Sequence, residues 1–79
     1  MAIVKYTVYV EYEITDIETN KKIVCGADIP VTTYFKPDTE PFNELIEVAV
    51  DNFMEEVEDG LCDTETAKLV TYSIFLGAW

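Results

Sequence analysis

The sequence predicts a small α+β domain in the order ββαβ, an antiparallel-rich three-stranded sheet with strand order 2-1-3 and one amphipathic acidic helix packed on one face. Three observations carry that prediction. Apolar and polar residues alternate from Ile3 to Ile14, a helical apolar pattern runs without a gap from Phe42 to Val57, and β-rich sequence returns from Lys68 to Leu76. The 79 residues suit one domain, residues 1–79, with a single core. A chain of this size hides only roughly 60–65% of its unfolded surface, so its stability is modest.

The first strand is expected over residues 3–14, where Val4, Tyr6, Val8, Val10, Tyr12 and Ile14 alternate with Lys5, Thr7, Tyr9, Glu11 and Glu13. Asp16, Asn20, Lys21 and Lys22 supply turn chemistry, and a second strand follows over 23–35 to close a long hairpin. Gly26 and Pro30 lie inside it, so it is expected at a sheet edge, bulged or broken into two pieces.

Residues 36–41, Lys-Pro-Asp-Thr-Glu-Pro, read as a turn into a helix, with a proline near the first helical position and Asp38, Thr39 and Glu40 available to cap free N–H groups. The helix is expected over 41–59, with Phe42, Leu45, Ile46, Ala49, Val50, Phe53, Met54 and Val57 on its buried face and Gly60 as its stop. A third strand is expected over 68–76, apolar on both faces near its end. If the helix crosses to the far side of the first strand, the third strand lies antiparallel to the first, which gives the order 2-1-3.

Nearly half the residues are hydrophobic and ten are aromatic, too apolar a composition for a disordered acidic tail despite a net charge of −11. No stretch is long and apolar enough to span a bilayer, and the N-terminus lacks a basic region followed by an apolar block, so a cytoplasmic protein is expected. Strand-like sequence directly after Met1 and an end at Trp79 suggest a complete short gene product. Cys25 and Cys62 form no CxxC and are expected to be two buried free thiols, a bridge or metal pair being the alternative.

The charge is unevenly placed. Between Asp38 and Glu65 stand eleven carboxylates and no Lys, Arg or His. Glu44, Glu47, Asp51, Glu55 and Glu58 recur every three or four residues, so on a helix they form one stripe roughly 21 Å long. Glu56, Asp59 and Asp63 are secondary candidates beside it. The carboxylates of the stripe are spaced roughly 4.5–6 Å along the axis, on the order of the phosphate spacing in a nucleic-acid strand. A surface that grips phosphates could grip this stripe instead.

The stripe also opposes local stability. Glu40/Glu44, Glu47/Asp51, Asp51/Glu55 and Glu55/Asp59 are like-charge pairs at i,i+4, each unfavourable by roughly 0.2–0.5 kcal/mol. Glu55, Glu56, Glu58 and Asp59 stand at the negative end of the helix dipole, where cations are preferred. Repeated violations in one direction suit a surface selected for contact, although a solvated face that keeps the chain soluble explains the charge too. Halophilic adaptation fits poorly, because large hydrophobics are plentiful and five lysines remain. A calcium loop with Gly60 in sixth place would put Val57 third and Thr66 twelfth, where ligands are needed, so no metal and no cofactor are expected.

Catalysis is not expected. The chain has no His, no Arg, one serine at position 73 inside a strand, and no Gly-rich phosphate loop. Neither thiol has a histidine partner or a cationic cluster to activate it.

The expected partner is the basic surface of a nucleic-acid-binding protein or CRISPR effector, with no direct nucleic acid and no membrane as ligand. In size, charge and architecture the chain is similar to phage-encoded decoys such as the uracil-DNA glycosylase inhibitor, anti-restriction proteins and many anti-CRISPR proteins. That similarity implies inhibition by charge mimicry and a phage or mobile-element origin; no motif is shared, so no site residue is carried over. The alternative is an acidic interaction module or self-assembling structural protein that uses its sheet face and aromatic C-terminus. Tyr9, Tyr72 and Trp79 are then the self-association candidates, and a homodimer its form.

Overall fold

A computed structural model describes residues 3–77. Its elements are β1 (Val4–Asp16), β2 (Lys21–Thr33), α1 (Glu40–Asp59) and β3 (Glu65–Leu76). The three strands form one antiparallel sheet in the order β2-β1-β3, a small α+β fold with the helix on one face. β1 and β3 are longer than the spans expected from sequence, β2 has the expected length but begins and ends two residues earlier, and the 13-residue hairpin strands draw the molecule out to 51 × 20 × 18 Å.

Asp16 and Lys21 close the hairpin. The Asp16 carboxylate accepts the Glu18 and Thr19 N–H groups, and Asn20 takes the left-handed conformation at φ 58°, which its short polar side chain tolerates. β2 then runs to Thr33 with no break and no shift against β1, a correction to the bulged or broken strand expected from Gly26 and Pro30.

Backbone alternation explains why. The Gly77 N–H donates to the Lys5 carbonyl at 2.7 Å, and at the other end the Ile17 N–H donates to the Thr64 carbonyl at 2.8 Å. Odd-numbered β1 residues therefore turn their main chain toward β3 and even-numbered ones toward β2. Pro30, opposite Thr7, faces the free edge, where its missing N–H costs no ladder bond. The sheet's one irregularity lies in β3 instead. Glu11 pairs with Thr71 and Tyr12 with Leu69, so Val70 is the extra residue of a bulge.

Thr39 is the helix N-cap in extended conformation, and its carbonyl accepts the Asn43 N–H at 2.9 Å. Its hydroxyl makes no capping bond; it donates to the Lys36 carbonyl and so closes the preceding turn, in which Asp38 is left-handed. Gly60 ends the helix in right-handed conformation, with bonds from Gly60 N–H to Val57 and from Leu61 N–H to Glu58 tightening the last turn.

The core is one layer between the sheet and α1. Tyr6, Val8, Val10 and Val31 meet Phe42, Ile46 and Val50, all buried. Phe42 packs edge-to-face on Tyr6 at 5.2 Å and Phe53 on Tyr12 at 5.6 Å, which fixes α1 along β1. The opposite face of the sheet carries no second layer among the described residues. Val24 stays exposed on that open face, and Ile23, on the helix face at the hairpin end beyond the reach of α1, is exposed too.

Candidate partner-binding surface

Seven helical positions lie in the core or pack against it, Phe42, Leu45, Ile46, Ala49, Val50, Phe53 and Met54, and the acidic positions lie away from it. Glu44, Glu47, Asp51, Glu55 and Glu58 are all exposed, and at about 100° per residue they occupy one continuous sector on the β3 side of the helix. Glu56, on the opposite flank, and Asp59 are exposed as well. The sequence-predicted stripe is thus a physical surface, with no basic residue in the last helical turn.

The lysines lie elsewhere. Lys5, Lys22 and Lys68 fall in register with Thr15, Glu13 and the other residues of the open sheet face, and Lys22 Nζ stands 3.9 Å from Glu13 Oε1. The charge is therefore segregated, acidic on the helix and mixed on the bare face of the sheet. Along its length α1 carries no cation.

Two shallow grooves continue the acidic sector down to the sheet. One, of about 310 Å³, is lined by Glu47, Asp51 and Val50 from α1 and by Leu69 and Tyr72 from β3. The second, of about 360 Å³, carries Glu58, Asp63 and Glu65 around the exposed Cys62. Asp63 thereby joins the acidic surface, and Glu65, which the helical spacing could not include, belongs to it too. Among the described residues no group of three or more His, Cys, Asp or Glu side chains is placed to hold a metal ion.

Both cysteines are free, but they are not the buried pair expected from sequence. Cys25 is half-buried opposite Tyr12, and Cys62 is exposed because it falls in the connection after Gly60, outside the apolar face of α1. The Cys62 N–H donates to Glu65 Oε1 at 3.1 Å. A hydrogen bond from the thiol to Glu65, then the charge of that carboxylate, slight desolvation and the more distant Asp16 push the thiol above its ordinary value. Burial, followed by the neighbouring Cys25, raises the Tyr12 phenol.

The aromatic candidates are not one patch. Tyr9 lies on the open face and Tyr72 on the helix face, where it borders the acidic groove; Trp79 lies outside the described residues. Val48 was missed by the sequence reading. It is 54% exposed, three or four residues from Glu44 and Asp51 on the outer face of α1, the one apolar side chain set within the stripe. Its position out of phase with Leu45, Ile46, Ala49 and Val50 was the available signal.

Among the described residues no helix is long and apolar enough to cross a membrane. No family model matches the chain, and comparisons with curated proteins and with solved structures return no match.

Proposed function

We propose that this chain is a small non-catalytic inhibitor that occupies the basic nucleic-acid-binding surface of another protein by charge mimicry, in the manner of phage-encoded anti-CRISPR and anti-restriction decoys. It acts in the cytoplasm of the cell in which its target works. One observation carries this reading: Glu44, Glu47, Asp51, Glu55 and Glu58 form a single exposed sector of α1 without an interposed cation. The sector is long enough, roughly 21 Å, to span several phosphate-binding positions on a partner.

Charge supplies encounter rate and orientation, and a few desolvated contacts supply discrimination. Val48, within the stripe, and Tyr72, at the edge of the Glu47/Asp51 groove, are the side chains suited to that second task. Glu56, Asp59 and Asp63 widen the negative surface without lying on its axis.

The test is affinity capture from nuclease-treated bacterial lysate at two salt concentrations, with the natural chain and a Glu47→Gln/Asp51→Gln/Glu55→Gln variant. Retention of a nucleic-acid-binding protein by the natural chain, lost in the variant and weakened by salt, supports the reading. Equal capture of the same partners by both forms rejects it, as does a natural chain that retains no nucleic-acid-binding protein.

A further inference from the structure

We draw no further inference here: the strongest candidate, the exposed apolar edge of β3 at Ile74 and Leu76 beside the groove of Glu47, Asp51 and Tyr72, carries nothing because nothing in the structure shows what covers it.

Discussion

The Tyr9 ring lies across Gly26, its hydroxyl and ring edge filling the space a side chain at position 26 would take. The two residues are diagonal neighbours on the open face of the sheet, with Tyr9 paired to Asp28 and Gly26 to Glu11. The phenol shields a strand position that has no side chain of its own, and it holds Tyr9 to its own sheet. Tyr9→Ala is expected to cost about 0.2–1 kcal/mol, and clearly less in a Gly26→Ala background, where the new methyl has already displaced the ring. A double-mutant cycle by urea unfolding measures this coupling, and additive effects would refute it.

Ile46 sits at the centre of the layer packed between the sheet and α1, 1% exposed among Val8, Val10, Phe42 and Val50. Ile46→Ala should destabilise by about 2–5 kcal/mol. A chain of this length has about 4–12 kcal/mol in total, so this truncation removes a large share of it. Val48→Ala, two residues away on the exposed face, should stay within about 0.5 kcal/mol of the natural chain. Thermal unfolding of the two variants checks the contrast, and under the proposed function only Val48→Ala loses partner affinity without losing stability.

Cys62 is exposed yet should alkylate slowly. The hydrogen bond and charge of Glu65 hold its thiol above the ordinary value, so the thiolate fraction is lowered in the folded state at mildly alkaline pH. Because the folded value is raised, Glu65 favours the protonated thiol, and that preference is lost as pH climbs through the folded value. Glu65→Gln should speed iodoacetamide labelling of Cys62, and urea should speed labelling of the natural chain. An unchanged rate in Glu65→Gln would show that access, not charge, limits the reaction.

These contacts divide according to what a linear sequence can encode. The alternation from Val4 to Ile14 and the 3.6-residue phase of Phe42, Ile46, Val50 and Phe53 made the strand order and the buried helix face legible, and the acidic stripe followed from the same phase. The continuity of β2 was not legible, since Pro30 is harmless only because its pairing with Thr7 turns it to the free edge. The Val70 bulge was hidden for a related reason: Leu69, Val70 and Tyr72 are apolar on both faces, so alternation loses its phase there. The Glu47/Asp51/Tyr72 groove joins residues more than twenty positions apart and exists only once α1 lies beside β3.

The C-terminal turn of α1 tests whether stability was sacrificed there. It carries Glu55, Glu56, Glu58 and Asp59 and no basic residue, against the sign that the helix dipole favours. Asp59→Lys replaces the repulsive Glu55/Asp59 pair with an attractive i,i+4 pair in the favourable orientation, and puts a cation beside the unpaired carbonyls. The substitution should stabilise the chain by about 0.5–1 kcal/mol at low salt, with most of the gain screened at high salt. The natural chain should show the converse, a melting temperature that rises with added salt as the repulsion along the stripe is screened. If the acidic surface is the binding surface, Asp59→Lys also weakens capture of the basic partner, so stability and binding move in opposite directions in one variant. Gains in stability with no change in capture would place the contact away from the end of the helix, toward Glu44 and Glu47.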